Sequence, residues 1–208
     1  YDGGAGAGLH DYWEVMRQWP RCAGGFIWAL VDEGVKRVDM GGMIDNVGNY
    51  GADGIVGPHH EKEGSYYTVK QVWSPVQVFM PENFSGKLNV ENRYNFLSLK
   101  GVKFDYSYIR FAQGKETAVK SGTVNGADIA ADSKGQITVG AAPKDADALR
   151  VKATDQYGEE VFTWVFKLKD SDKLSAKAKA AGSRPQMQNG EVKAGRVTYT
   201  FNEKDGTL

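Results

Sequence analysis

The chain of 208 residues holds a single cysteine, Cys22, which excludes a disulfide framework and a cysteine-ligated zinc site. It has no excess of either charge, since 26 Lys and Arg stand against 26 Asp and Glu. A balanced chain has no field to steer it onto nucleic acid or an anionic membrane, so neither is expected as a partner. No run approaches the roughly 20 apolar residues of a membrane-spanning helix. Proline is scarce, at six residues against 26 glycines, which suits a fold of tight turns. The chain is instead rich in aromatics, with 5 Trp, 10 Tyr and 9 Phe. At 41% hydrophobic and 25% charged it has a globular composition.

Three regions of different character follow one another. Leu9, Tyr12, Trp13, Met16 and Trp19 fall on one face of an amphipathic helix that Pro20 ends. Gly24-Gly-Phe-Ile-Trp-Ala-Leu-Val31 then reads as a strand buried on both faces, as in a parallel sheet. Residues 35–63 form a long glycine-rich connection without a strong period. Ser65 is placed to cap a short helix that runs to Trp73 and stops at Pro75. From Val76 the pattern changes to short alternating stretches at 76–80, 87–91, 102–111, 148–154 and 160–168, which predicts an antiparallel sandwich. Residues 171–190 read as a linker, and 191–208 as the opening of a further β domain. The expected domains are therefore 1–75, an α/β piece; 76–170, a β-sandwich; the linker; and the final β segment. The chain begins at Tyr1 rather than Met, and Lys204-Asp205-Gly206 is a turn that asks for a returning strand. An excerpt of a longer protein is expected.

No pair of carboxylates stands out by spacing. Asp32 and Glu33 lie just past the apolar run, where α/β folds place their sites, but a solvated strand end explains them more simply. His59-His60 beside Glu61 and Glu63 lacks the helical spacing of a zinc motif and reads as a charged loop. Cys22 has no activating partner, and no nucleophile elbow occurs.

Several stretches resemble one family. Gly8-Leu-His-Asp-Tyr-Trp, with Gly24-Gly-Phe-Ile-Trp-Ala-Leu-Val-Asp-Glu-Gly34, resembles the late catalytic-barrel segment of glycoside hydrolase family 2 β-galactosidases. Asp53-Gly-Ile-Val-Gly-Pro58 and Tyr67-Thr-Val-Lys-Gln-Val-Trp-Ser-Pro-Val76 are similar to the barrel's exit. Glu91-Asn-Arg-Tyr-Asn-Phe96 is similar to a strand of the immunoglobulin-like domain that follows it. Residues 197–208 resemble the opening hairpin of the last sandwich. The resemblance implies a mainly β chain: a C-terminal fragment of a (β/α)8 barrel at 1–75, an immunoglobulin-like sandwich, and the start of a second sandwich.

For function, the resemblance implies a piece of a retaining β-glycosidase acting on a carbohydrate substrate. Both catalytic glutamates would lie outside the chain, so no catalytic residue and no metal ligand is assigned within it. Trp28 matches the family's sugar-stacking tryptophan. Asp53 matches a position that contacts sugar hydroxyls or a monovalent cation in some members. No cofactor is assigned, a monovalent or Mg cation belonging at most to the parent. Ala29 stands where the family has Asp, and residues 35–50 lack its Gly-Gly-Asp-Phe-Gly-Asp segment, which puts galactose specificity in question. The sequence leaves the compartment open, with the periplasm or exterior slightly favoured for a bacterial glycan-degrading enzyme. An exposed barrel fragment is also expected to promote self-association, or to be covered by rearrangement. The alternative is a non-catalytic sandwich module that binds carbohydrate or a neighbouring domain. Coplanar exposed rings such as Trp164 or Tyr108 would mark it, though their alternation with polar neighbours predicts that both are core.

Overall fold

The computed structural model describes residues 5–45, 47–48, 50–112, 114–169, 185–188, 191–194, 196–202, 204 and 207. The chain divides into two compact units, Tyr1–Phe166 and Lys167–Leu208.

The first unit opens with helix α1, Ala5–Gln18, whose Trp13 packs on Trp73 with ring centroids 5.3 Å apart. The following apolar run does not form the expected buried strand. Its one ladder contact is a parallel bridge from Val31 to Val56, and Phe26, Trp28 and Leu30 are exposed. A strand buried on both faces needs neighbours on both edges, and among the described residues only the 51–57 segment lies alongside. A hairpin comes next, strands β1 (Val35–Arg37) and β2 (Met43–Asp45), turned by Gly41 and Gly42 at φ 69° and 87°. The guanidinium of Arg37 fastens it, with nitrogens 2.6 Å from Asp39 and 2.8 Å from Asp45. Helix α2 is Gly64–Val72, with Glu63 rather than Ser65 in the extended N-cap position and no side chain capping it.

The expected sandwich is present. Strands β3 (Val76–Phe79), β4 (Lys87–Asn92) and β7 (Ser133–Thr138) form one antiparallel sheet in the order β3-β4-β7. Strands β5 (Lys103–Ala112), β6 (Lys115–Asn125), β8 (Ala148–Thr154) and β9 (Glu160–Lys167) form the other, in the order β6-β5-β8-β9. The chain crosses between the sheets after β4, β6 and β7, as in the Greek-key connections of immunoglobulin-like sandwiches. The core lies between the sheets: Val76, Leu88, Val90 and Ile137 from one, Phe104, Tyr108, Leu149, Val151 and Trp164 from the other. Tyr108 and Ile109 are consecutive yet both buried, because a register shift between them turns the strand. Trp164 and Tyr108 are thus core, as their alternation predicts.

In the second unit, β10 (Gln186–Gln188), β11 (Glu191–Ala194) and β12 (Val197–Thr200) form an antiparallel sheet. The Asn202 N–H donates to the Thr207 carbonyl at 2.8 Å. Most of the sequence read as a linker, residues 170–184, lies outside the described residues; its end, Gln186–Gln188, is strand.

Candidate functional site

Two segments that bear the family-like motifs are laced together. The Ala29 N–H donates to the carbonyl of Asp53 at 3.0 Å, the Val56 N–H to Leu30 at 3.0 Å, the Asp32 N–H to Val56 at 2.9 Å, and the Glu33 N–H to Gly51 at 2.7 Å. Asp32 adds a side-chain bond, its Oδ1 accepting from the Gly54 N–H at 2.7 Å. A side chain on Gly54 would collide with the backbone of Val31 and Asp32, so only glycine allows this approach. The carboxylate of Asp32 therefore fastens a loop.

The lacing makes Trp28 and Asp53 near neighbours of one backbone bond. They differ sharply in environment. Trp28 is 75% exposed, and the peptide joining it to Ala29 is cis. Asp53 is only 9% exposed, and its Oδ1 is buried without a hydrogen-bond partner. An apolar recess of about 370 Å³ in the same region is lined by Phe26, Ile27, Leu30, Ile55 and Trp73. An indole face can stack on a sugar ring, and a carboxylate oxygen can accept from hydroxyls. A resident cation would need several oxygen ligands, and Asp53 offers one. Among the described residues no group of three or more His, Cys, Asp and Glu side chains is placed to hold a metal. His59 and His60 remain in their loop, where the His59 N–H donates to Glu61 at 2.9 Å. Cys22 is exposed.

Two glutamates do come together, on one arginine. Glu14 on α1 and Glu91 on β4 both lie 3.1 Å from the same Nη2 of Arg93, and Arg17 adds a contact to Glu91 at 3.6 Å. Both carboxylates are ion-pair partners of guanidinium groups. Sequence reasoning did not single out this cluster. Its only trace is the charge of Glu91 and Arg93 inside an otherwise strand-like stretch.

The fold defines a class: a β-sandwich with a helix-and-loop segment fastened to it by ion pairs. Comparison with known proteins then narrows the kinship. No family model matches the chain. It is 28% identical over 107 residues to a β-galactosidase of Priestia megaterium, covering 46% of the chain and 10% of that protein. A β-galactosidase of Photobacterium profundum is 26% identical over 144 residues, 60% of the chain and 14% of that protein. One of Pseudoalteromonas haloplanktis is 50% identical over 32 residues, 15% of the chain and 3% of that protein. The chain thus spans about a tenth of the length of the curated relatives it matches. Among solved structures, an exo-chitosanase of Amycolatopsis orientalis aligns with a TM-score of 0.38 at 21% identity, over 56% of the chain and 14% of its own. A β-D-mannosidase of Dictyoglomus thermophilum aligns at 0.33 and 20% identity, over 78% and 18%. The chain is similar to part of the bacterial β-galactosidases.

Proposed function

We propose that the chain is a piece of a β-galactosidase-like retaining glycoside hydrolase and supplies one side of its sugar site. The observation that carries this is the pairing of Trp28 with Asp53. The hydrogen bond from the Ala29 N–H to the Asp53 carbonyl ties the segment that carries the open indole of Trp28 to the segment that carries Asp53, whose Oδ1 has no partner. In the parent, Trp28 stacks on the non-reducing sugar and Asp53 accepts from a hydroxyl. The acid/base and nucleophile glutamates come from outside this chain, which alone is inactive. Segment 1–75 is the last part of a barrel, and the sandwich braces it through Arg93.

A panel of nitrophenyl glycosides, run on this chain and on the full product of its gene, tests the reading. Turnover of the β-galactoside by the full product only is the expected result. Turnover by this chain would overturn the placement of the catalytic carboxylates and make Glu14, Glu91, Asp32 and Asp53 the residues to replace. The carbohydrate-binding module reading gains nothing from Trp164 and Tyr108, both of which are buried.

A further inference from the structure

The peptide group between Asp53 and Gly54 is held at both of its polar atoms. Its carbonyl accepts from the Ala29 N–H at 3.0 Å, and its N–H donates to the Asp32 Oδ1 at 2.7 Å. The next two amides, those of Ile55 and Val56, are bound differently. They donate to the main-chain carbonyls of Ala29 and Leu30 at 3.0–3.2 Å. At Gly54 a side-chain carboxylate thus stands where a main-chain acceptor would otherwise continue the ladder.

The residue after Asp53 makes this bond matter. The close approach of Val31 and Asp32 requires glycine at position 54. Glycine restrains its own φ and ψ less than any other residue, so the 53–54 peptide is soft on one side. Rotation of that peptide changes ψ of Asp53. The bond from the Gly54 N–H to Asp32 takes up this freedom. Asp53 is nearly buried, and its Oδ1 has no hydrogen-bond partner. No bond of its own fixes that oxygen, so the backbone that carries it sets where it points.

We propose that Asp32 is a positioning residue of the sugar site: through the Gly54 N–H its carboxylate fixes the backbone that presents Asp53 to a substrate hydroxyl. The proposal rests on the reading of Asp53 as a sugar contact. Asp32 itself touches no sugar and acts through residue 53. With its bond in place, the Asp53 carboxylate is aimed before the substrate arrives. Without it, ordering that carboxylate subtracts from the binding free energy of the sugar.

Steady-state kinetics of the full product of the gene, on nitrophenyl β-galactoside and its monodeoxy analogues, provide the test. Asp53→Ala should lower kcat/KM by about tenfold or more, and by only about twofold on the analogue that lacks the contacted hydroxyl. Asp32→Ala should lower kcat/KM by about tenfold as well, and its penalty should fall away on the same analogue. Combined with Asp53→Ala it should cost no more than about twofold further, since nothing is left to position. Asp32→Asn, whose amide oxygen still accepts from Gly54, should lose much less than Asp32→Ala. Thermal unfolding shows which variants are folded. Should Asp32→Ala not fold, Asp32→Glu, which keeps the charge but displaces the acceptor by a methylene, carries the same comparison. A penalty equal on every deoxy analogue, or one that adds in full to Asp53→Ala, overturns the proposal and leaves the sugar contact of Asp53 standing. An Asp53→Ala enzyme as active as the parent overturns that contact and the proposal together.

Discussion

Glu14 and Arg93, 79 residues apart in the chain, meet at 3.1 Å, and their contact joins helix α1 to the sandwich. Arg93 also holds Glu91, and Arg17 approaches Glu91 from the helix side, so charges alternate across the junction. Removing the guanidinium leaves two carboxylates facing each other in a largely buried place. Arg93→Met should cost about 2–3 kcal/mol. Glu14→Gln, at a more exposed partner, should cost no more than about 1 kcal/mol. Urea unfolding of both variants measures the difference. Equal costs would show that Arg93 stabilises through the helix contact alone, with no share from Glu91.

Asn92 is fully buried, and its Nδ2 donates to the carbonyls of Leu97, Ile129 and Ala130 at 2.8–3.0 Å. Its Oδ1 accepts from the Tyr94 N–H at 3.0 Å. Asn92→Asp turns the donor into an acceptor that faces three carbonyls. The expected loss is about 3 kcal/mol or more, larger than for Asn92→Ala. Thermal unfolding that ranks the two the other way would contradict this account.

Burial pushes the Tyr108 phenol up to about 12, with Tyr106 contributing a smaller push, and the hydroxyl donates to the Gly140 carbonyl at 2.6 Å. A phenol raised above its ordinary value near 10 gives stability that is complete below that value. The stability is lost as pH rises from about 10 toward 12, because the unfolded chain ionises first. Tyr108→Phe should cost about 1 kcal/mol at neutral pH, and the deficit should shrink across the alkaline window. Denaturation at pH 7 and pH 11 checks the sign.

Gly54→Ala should loosen the 29–33 and 51–57 segments, since the added methyl meets the Asp32 amide and the Val31 carbonyl carbon. Hydrogen exchange at Ile55 and Val56 should speed up while Val90 and Val151 in the sandwich keep their protection. Uniform acceleration would mean that the two regions unfold as one.

The sandwich was legible because β8 alternates apolar and polar residues over much of its length and β9 is rich in β-branched and aromatic ones, and the structure finds strands at Ala148–Thr154 and Glu160–Lys167. Strands β6 and β7 escaped the sequence reading. β6 is an edge strand of mostly exposed polar residues, and β7 buries only Ile137, so neither shows the pattern. The apolar run at 24–31 misled for the opposite reason. Its composition suits a strand with neighbours on both sides, and among the described residues only one lies alongside. At the site, the resemblance pointed to Trp28 and Asp53, but the fact that one backbone bond joins their segments is a tertiary relation. The hairpin at 35–45 was hidden because its strands are three residues each and its lock is a pair of carboxylates on Arg37.

Exposed Phe26, Trp28, Val38, Val47 and Tyr50 put much apolar area in water for one short stretch. The isolated chain should therefore self-associate. Light scattering after size exclusion should show a mass that rises with concentration, and a monomer at every concentration would count against it.

The buried amide of Asn92 has a further consequence: it works as a parity check on the β4 ladder. Odd and even positions of a strand face opposite ways, so a slip of one residue would turn Asn92 to solvent and drive Glu91 or Arg93 into the core. The three carbonyls would then lose their donor at the same moment that a charge lost its water. Neighbouring alignments of β4 against β3 and β7 are thus penalised twice over, and the one that survives is the one that sets Arg93 beneath helix α1.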